Sequence, residues 1–332
     1  MADNRQVVLR ERPVGIPQAR QFEIVTTPVP EPGPGEVLVH NAWLSVEPAM
    51  RGWVNDAPNY LPPVPVGSVM RSYAVGHVER SNHPGYKPGD AVTGMFGWQD
   101  WAAVPAGAIE RKVDDELPLS TALGVLGLNG VTAYFGLLDV GEPRAGDTVV
   151  VSTAAGSVGS CVGQIAKIGG CRTVGIAGGP AKVALCREAF GFDAAVDYRA
   201  PDFAAQLAAA CPAGVDVYFD NTAGAISDAV MGLLAPRARV VICGTASVPD
   251  WSVTPTGPRV ERTVLVKRAR IAAVLAFDYK ARYPEALRRL ADWVRAGRIA
   301  YREDVLDGIE HAPGAIAGLY AGENMGKRLI KL

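Results

Sequence analysis

The protein has 332 residues, of which 33 are Lys or Arg and 34 are Asp or Glu, so its formal net charge at pH 7 is -1. This balance excludes a nucleic-acid binder that works through a broad basic surface, and a hydrophobic content of 48% excludes an intrinsically disordered chain. The length exceeds the ~250–300 residues at which a single core tends to split, so we expect two domains.

The sequence carries no signal for secretion or membrane insertion. It begins M-A-D-N-R-Q without the apolar stretch of a signal peptide, and no apolar run approaches the ~20 residues that span a bilayer. The five cysteines are odd in number, widely spaced and absent before Cys161, which argues against a disulfide framework. We therefore expect a cytoplasmic protein with neither a membrane nor a nucleic acid as partner.

Residues 1–125 are interrupted every few positions by Pro or Gly. Short β-like runs, such as 36–40 and 91–96, lie between these breaks. This texture predicts an irregular, β-rich module.

From Asp147 onward, apolar strands alternate with helical stretches, which is the pattern of a parallel sheet. The predicted strands are Thr148–Ser152, 173–177, Ala194–Asp197, Val215–Asp220 and 239–244. The predicted helices among them are 158–168, 182–190, Phe203–Ala210 and 226–234. Since the strands are continuous and rich in Val or Ile, we expect both faces of the sheet to be buried. The succession predicts a doubly wound Rossmann arrangement and an α/β fold class for the protein.

The C-terminal part adds elements of both kinds. Apolar residues at three- and four-residue spacing predict an amphipathic helix over Tyr283–Arg295, with Gly297 as its cap. A further helix is predicted over 309–321 and a last strand over 328–332.

A glycine-containing turn follows the first strand of the predicted sheet and opens a helix. It reads Ala-Ala-Gly-Ser-Val-Gly and ends with Gly156, Ser157, Val158 and Gly159. Glycines let the backbone approach a pyrophosphate, and the helix N-terminus offers it free N–H groups. Ala154 departs from the usual first glycine. A dinucleotide site is the favoured interpretation, and a turn with only a structural role is the alternative.

The end of the second strand bears on the choice between NAD and NADP. NAD sites place an Asp or Glu there, about 20 residues after the glycine turn, to accept from the ribose 2′-OH. Here the run 177–182 is A-G-G-P-A-K, with no carboxylate and with Lys182 able to pair with a 2′-phosphate. Tyr198 and Arg199, after the third strand, are predicted to complete that pocket. The sequence therefore favours NADP(H), although Lys182 as a solvated helix residue remains the alternative.

Metal and nucleophilic catalysis find little support. The stretch around His77 superficially resembles that of zinc alcohol dehydrogenases, but zinc needs three or four converging ligands and the chain has no C-x-x-C and no H-E-x-x-H motif. A G-x-S-x-G nucleophile motif is also absent. We predict a protein without a catalytic metal, in which His77 has no special role.

Sequence runs spread over the chain resemble a single family. They are S-V-E-P-A-M-R at 45–51, G-W-Q at 97–99, G-V-T-A-Y-F-G-L-L at 130–138, the run 149–159, I-C-G at 242–244, G-P-R at 257–259, F-D-Y at 277–279, R-Y-P-E-A at 282–286 and G-E-N-M-G-K at 322–327. They are similar to the zinc-independent, NADP-dependent double-bond reductases of the medium-chain dehydrogenase/reductase superfamily, which include prostaglandin, alkenal and curcumin reductases.

The resemblance implies a GroES-like, β-rich domain built from 1–125 and 300–332, a Rossmann domain over 126–299, and a cleft where they meet. It also implies a homodimer. The residues that it places at the cofactor are Gly156, Ser157, Val158 and Gly159 at the pyrophosphate, Lys182 and Tyr198 at the 2′-phosphate, Asn221 at the ribose or phosphate side, and Cys243, Gly244, Phe277 and Asn324 at the nicotinamide half.

The activity implied is reduction of a carbon–carbon double bond conjugated to a carbonyl, in a small enone or enal. Tyr60, in N-Y-L-P-P, matches the family's S-Y-x-P-P loop beside the substrate and is a candidate donor to the carbonyl oxygen; a packing role is the alternative. The family's tyrosine in the loop after I-C-G is missing, and Trp251 offers only an apolar wall and one N–H donor there. A quinone reductase and a non-catalytic NADPH-binding protein are the other functions that remain open.

Overall fold

The computed structural model describes residues 3–57, 59–114, 116–248 and 253–332. The chain divides into two compact units, one formed by Met1–Leu123 with Glu303–Leu332 and the other by Gly124–Arg302. The first unit is discontinuous in sequence because the second is inserted into it. In the described ranges, no helix is both long enough and apolar enough to cross a membrane.

Strands and helices are numbered in chain order. The strands are β1 (Asp3–Leu9), β2 (Phe22–Pro28), β3 (Glu36–Ser45), β4 (Ala74–Ser81), β5 (Ala91–Gly94), β6 (Trp101–Pro105), β7 (Ile109–Lys112), β8 (Thr148–Ser152), β9 (Arg172–Ala177), β10 (Ala194–Asp197), β11 (Val215–Asp220), β12 (Leu234–Ile242), β13 (Arg270–Ala273), β14 (Glu303–Asp307) and β15 (Lys327–Lys331). The α-helices are α1 (Met50–Trp53), α2 (Leu128–Phe135), α3 (Ser157–Ile168), α4 (Pro180–Glu188), α5 (Phe203–Ala210), α6 (Gly224–Met231), α7 (Glu261–Lys267), α8 (Tyr283–Arg295) and α9 (Ala312–Ala321).

The discontinuous unit is built on a sheet with the order β14-β15-β3-β4-β5-β7, in which β6 also pairs with β3, and β1 and β2 form a separate antiparallel pair. The C-terminal strand β15 joins the sheet by antiparallel pairing with β3. Large apolar side chains fill the core of this unit, among them Met50, Trp53, Met70 and Trp98. The prediction of a β-rich module is confirmed.

The inserted unit contains a sheet with the order β10-β9-β8-β11-β12-β13, and all of its pairs are parallel. Side chains of β8 alternate between the faces: Val149 and Val151 pack in one apolar cluster and Val150 in the other. This strand order is that of the doubly wound dinucleotide-binding fold, so the predicted Rossmann arrangement is confirmed. In such sheets a ligand binds outside the carboxyl ends of the strands, where the order reverses, here between β8 and β11.

Several predicted elements have different bounds in the structure. The strand predicted at 239–244 begins at Leu234 and ends at Ile242, because Leu234 already pairs with Val215 of β11 and the pairing resumes at Arg239 after an irregularity that contains Arg237 at a φ of 64°. The helix predicted at 226–234 accordingly ends at Met231. The strand β13 was not predicted. Its side chains are largely exposed at the edge of the sheet, so its sequence lacks the apolar run that is typical of a buried strand. Also missed were α2, α7 and β14.

Candidate active site

The glycine turn lies between β8 and α3, at the switch point of the sheet. Gly156 precedes the helix in an extended conformation, and a Cβ on Gly159 would overlap the carbonyl oxygen of Thr153. Thr153 itself has a φ of 55°, in the left-handed region. The first N–H groups of α3 have no acceptor within the helix. A turn with glycine at 156 and 159, followed by the free N–H groups of a helix N-terminus, fits a pyrophosphate.

The alanine at the first glycine position is accommodated by a glycine elsewhere. Ala154 is buried, and its N–H donates to the carbonyl of Ile176 at 3.0 Å. Its methyl group lies 2.8 Å from the place where a Cβ on Gly175 would be. Because Gly175 has no side chain, there is room for the methyl group of Ala154 at the position where the motif usually has its first glycine.

The predicted 2′-phosphate pocket gathers around Gly178, directly after β9. A Cβ on Gly178 would lie 2.8 Å from the Tyr198 ring and 3.1 Å from Nε of Arg199. The guanidinium of Arg199 also lies 5.6 Å from the centre of the Tyr198 ring. Lys182, half-buried in the first turn of α4, belongs to the same end of the sheet. The group is cationic, as a phosphate requires.

Asp197, the carboxylate closest in sequence to this pocket, is engaged by the backbone. Its Oδ1 accepts the N–H groups of Gly179 and Arg199, both at 2.9 Å. This carboxylate therefore organises the pocket walls through hydrogen bonds that are already made.

At the ends of β8 and β11, Asn221 is held by Ser152. The backbone N–H of Asn221 donates to the Ser152 hydroxyl at 2.8 Å, and its side-chain Nδ2 donates to the Ser152 carbonyl at 2.7 Å. The neighbouring Asp220 is buried, and its Oδ1 lies 3.3 Å from the same hydroxyl. Asn221 was predicted from the sequence and Asp220 was not, although a carboxylate at the end of an apolar strand indicates a residue with a special role.

The candidates after β12 and β13 lie along the same edge. The N–H groups of Cys243 and Gly244 donate to the Asp220 carbonyl at 2.8 and 3.1 Å. Burial, with a smaller contribution from Asp220, raises the pKa of the Cys243 thiol to about 12, so it is no thiolate nucleophile. Phe277 is half-buried and follows the end of β13.

Two candidates belong to the discontinuous unit. Tyr60, 49% exposed, lies in the loop after α1. Burial raises the pKa of Tyr320 to about 12, and Tyr60 makes a smaller contribution in the same direction. Asn324, in the turn before β15, donates through Nδ2 to the carbonyl of Gly326 at 2.7 Å.

Comparisons with known proteins give matches over most of the chain. One family model, described as the N-terminal domain of oxidoreductase, matches residues 5–111, and another, described as zinc-binding dehydrogenase, matches 157–292. The NADPH-dependent curcumin reductase of Escherichia coli (strain K12) is 44% identical over an alignment of 334 positions, which covers 99% of this chain and 97% of that protein. The NADP(+)-dependent 2-alkenal reductase of Nicotiana tabacum is 37% identical over 98% of this chain and 97% of its own length.

The chain belongs to the NADPH-dependent double-bond reductases of the medium-chain dehydrogenase/reductase superfamily. A solved structure agrees: that of CurA from Vibrio vulnificus in complex with NADPH has a TM-score of 0.93 and 42% identity, and the match covers 98% of each chain. The resemblance read from the sequence is therefore confirmed.

Since one matching model is described as zinc-binding, we tested whether this reductase offers zinc ligands. Among the residues described by the structure, no three His, Cys, Asp or Glu side chains are grouped as a metal site. Burial raises the pKa of Cys161 and Cys186 to about 12, which disfavours the thiolate form that binds zinc. These residues do not fit a zinc ion, and we derive no catalytic step through one; zinc-independence stays a prediction.

One sequence-based prediction concerns the loop after β12. The apolar wall assigned to Trp251 lies outside the described residues. The described part of that loop is tied to the end of β11, because the N–H of Ser247 donates to the Thr222 carbonyl at 2.9 Å and its hydroxyl does so at 2.6 Å.

Proposed function

We propose that this reductase uses NADPH to reduce the carbon–carbon double bond of α,β-unsaturated aldehydes and ketones. The observation that carries the proposal is 44% identity, over practically the whole chain, to a curcumin reductase. The turn at Gly156–Gly159 and the cationic pocket at Gly178 support it from the geometry, since together they suit a dinucleotide with a 2′-phosphate.

When bound, NADPH supplies a hydride to the β-carbon of the conjugated double bond. The chain contributes binding and orientation. We assign Gly156, Ser157, Val158 and Gly159 to the pyrophosphate, Lys182, Tyr198 and Arg199 to the 2′-phosphate, Asn221 to the ribose side, and Cys243, Gly244, Phe277 and Asn324 to the nicotinamide half. A hydrogen bond to Ser152 supports the assignment of Asn221. The side-chain Nδ2 of Asn221 donates to the Ser152 carbonyl, which orients the amide oxygen as an acceptor for a ribose hydroxyl.

Tyr60 is the proposed catalytic residue. As the β-carbon receives hydride, negative charge develops on the substrate's carbonyl oxygen and needs a hydrogen-bond donor. The Tyr60 phenol is half exposed and so is accessible to a substrate. A donor in this role stabilises the enolate until its α-carbon is protonated.

The proposal is tested by following the loss of NADPH absorbance with an alkenal, a cyclic enone and a quinone. We expect turnover of the alkenal and the enone. Turnover of the quinone alone would assign the protein as a quinone reductase, and NADPH binding without any turnover would assign a non-catalytic role.

The catalytic role of Tyr60 is tested separately with the variant Tyr60→Phe. The matched control is Tyr86→Phe in the same unit. We expect the Tyr60 variant to lower kcat with little change in the KM for NADPH, and the Tyr86 variant to retain the parent values. An unchanged kcat in Tyr60→Phe would leave Tyr60 as a packing residue.

We also propose that the protein is a cytoplasmic homodimer. The strand β13 is the last in the order of its sheet, and Leu265 of the preceding α7 is 76% exposed, with Val266 and Ile271 also exposed. A second copy of this edge would cover them. Light scattering should give the dimer mass for the parent and a smaller mass for Leu265→Asp, whereas a monomeric parent would refute the dimer. The five free cysteines agree with a reducing compartment, which cell fractionation tests.

A further inference from the structure

The side-chain carboxylate of Asp220 accepts five hydrogen bonds. Its side chain is 1% exposed, and a single oxygen, Oδ1, accepts from three hydroxyl groups and two backbone N–H groups. The donors are the hydroxyls of Ser152 at 3.3 Å, Tyr218 at 2.9 Å and Thr222 at 3.2 Å, and the N–H groups of Thr222 and Ala223, both at 2.9 Å. Among the described residues, Oδ2 has no hydrogen-bond partner.

The turn that follows Asp220 is strained. Ala223 has a φ of 60° and a ψ of -163°, a region that is open to glycine and costly for any residue with a Cβ. The two N–H groups that the carboxylate accepts belong to this turn. Asp220 is therefore the group that holds Ala223 in its strained conformation.

The strained turn carries groups of the cofactor site on both sides. Asn221 comes directly before it, and the carbonyl of Thr222 within it accepts both hydrogen bonds from Ser247 in the loop after β12. Gly224 completes the turn at a φ of 61°, and a Cβ there would lie 2.6 Å from the Ser247 hydroxyl. The backbone of Asp220 holds the same loop, since its carbonyl accepts from Cys243 and Gly244.

We infer that Asp220 is a positioning residue for NADPH: it maintains the strained turn at 222–224 and thereby fixes Asn221 and residues 243–247. The inference rests on the proposed use of NADPH, and it assigns Asp220 no contact with the cofactor. Without the carboxylate, Ala223 relaxes and only a fraction of the molecules present the site in its binding form, so the apparent affinity falls by that fraction.

The test compares Asp220→Asn with Asp216→Asn, a matched control at the other end of β11. The carboxylate of Asp216 accepts the N–H of Thr148 at 2.8 Å, far along the strand from the carboxyl edge. NADPH affinity is measured by fluorescence titration, so no substrate is needed. We expect Asp220→Asn to weaken binding about tenfold, because charge-assisted hydrogen bonds become neutral ones, and Asp216→Asn to change it by less than about twofold.

Rescue by Ala223→Gly separates positioning from a general loss of structure. Glycine adopts the backbone conformation of this position without strain, so the double variant Asp220→Asn/Ala223→Gly no longer needs the carboxylate. We expect it to recover most of the affinity, and to recover folding if Asp220→Asn alone is insoluble. Parent affinity in Asp220→Asn, or a double variant as weak or as insoluble as the single one, would overturn the inference.

Enone reduction is measured in parallel on the parent and on the folded variants. We expect Asp220→Asn to raise the KM for NADPH and to leave kcat at saturating NADPH close to the parent value. If the parent reduces no enone while NADPH binding follows the expected order, the proposed function fails and the inference about Asp220 stands. A fall in kcat with an unchanged KM would overturn the inference, since positioning of the cofactor acts on its binding.

Discussion

At the residue scale, cofactor choice depends on what packs over Gly178. A carboxylate near this position would accept from the 2′-OH of NAD and repel a 2′-phosphate. Here the Arg199 side chain is at that place, since a Cβ on Gly178 would lie 3.1 Å from its Nε. Asp197 already accepts two backbone N–H groups. The local charge therefore favours NADPH although the net charge of the whole chain is close to zero.

Replacing the cations of this pocket should change cofactor selectivity. We expect Arg199→Ala and Lys182→Ala each to raise the KM for NADPH by about ten- to hundredfold, because a charge-assisted pair with phosphate contributes about 1.5–3 kcal/mol. The KM for NADH should barely change. Steady-state kinetics with both cofactors measures the ratio, with Arg187→Ala, an exposed site in the last turn of α4, as the control. Equal effects on NADPH and NADH would contradict the assignment.

At the scale of elements, the approach of α3 to the end of β8 is set by a glycine within the helix. Gly159 lies against the backbone of Thr153 and Ala154, which cannot move aside as a side chain can. At Gly156 the nearest atom is instead a methyl carbon of Thr153 at 2.9 Å, and the nearest backbone atom, the Thr153 carbonyl oxygen, is at 3.2 Å rather than the 2.3 Å found at Gly159. The two glycines of one turn thus serve different purposes.

We expect Gly159→Ala to push α3 away from the strand and to weaken NADPH binding more than tenfold, a loss above about 1.4 kcal/mol. Gly156→Ala should have a smaller effect. Fluorescence titration measures the affinity and thermal unfolding the stability. Gly232→Ala is the control, since its Cβ would lie 3.5 Å from the nearest oxygen. Parent affinity in Gly159→Ala would show that the helix does not need this close approach.

At the scale of the whole molecule, a buried ion pair links the C-terminal strand β15 to the N-terminal segment of the discontinuous unit. Lys327 of β15 is buried and donates to the Ser45 hydroxyl at 2.6 Å, to the Val46 carbonyl at 2.9 Å and to the Glu47 carboxylate at 2.7 Å. Glu47 is also buried. Lys327 and Glu47 are 280 residues apart in the chain.

Lys327→Met should lower the free energy of unfolding by about 3–5 kcal/mol, because it removes the buried cation that pairs with the Glu47 carboxylate. The double variant Glu47→Gln/Lys327→Met should recover part of that loss. Chemical denaturation measures both, and Lys331→Met at the exposed end of the same strand is the control. Equal stability of the single variant and the parent would show that this ion pair does not stabilise the fold.

The pH dependence of stability should carry a signature of Glu303. Burial raises the pKa of this carboxyl, although the Ser120 hydroxyl at 2.9 Å and the charge of Lys327 act in the other direction. A raised pKa means that the folded state holds the proton more tightly than the unfolded state does. The resulting stabilisation is present below the ordinary Glu pKa of about 4.3 and is lost as pH rises through the folded-state pKa.

Glu303→Gln removes this group, so its stability relative to the parent should rise from acidic to neutral pH. Thermal unfolding of both proteins across that range measures the difference, and Glu188→Gln, at an exposed position of α4, should show no such trend. A difference that stays constant with pH would contradict the expectation.

The sequence by itself predicted the elements whose local pattern agrees with their place in the fold. Strands β8, β10 and β11 have the predicted bounds, because short runs rich in β-branched or apolar residues are typical of strands buried between helices. The strand β13 was missed, since an edge strand with exposed side chains lacks that pattern. The glycine turn was predicted from residues that are close together in the chain, and the family from short runs that can each be recognised locally.

Only the tertiary structure decided what depends on residues that are distant in sequence. Gly175 explains why Ala154 is tolerated, yet the two belong to different strands and loops. The five donors to Asp220 come from the ends of β8 and β11 and from the turn that follows, and the separation of 68 residues between Ser152 and Asp220 hides that relation in the sequence. Lys327 meets Glu47 only because β15 pairs with β3. Local patterns fix a strand or a turn through short-range sterics and burial, whereas hydrogen bonds and ion pairs between remote segments exist only after the sheets have brought those segments together.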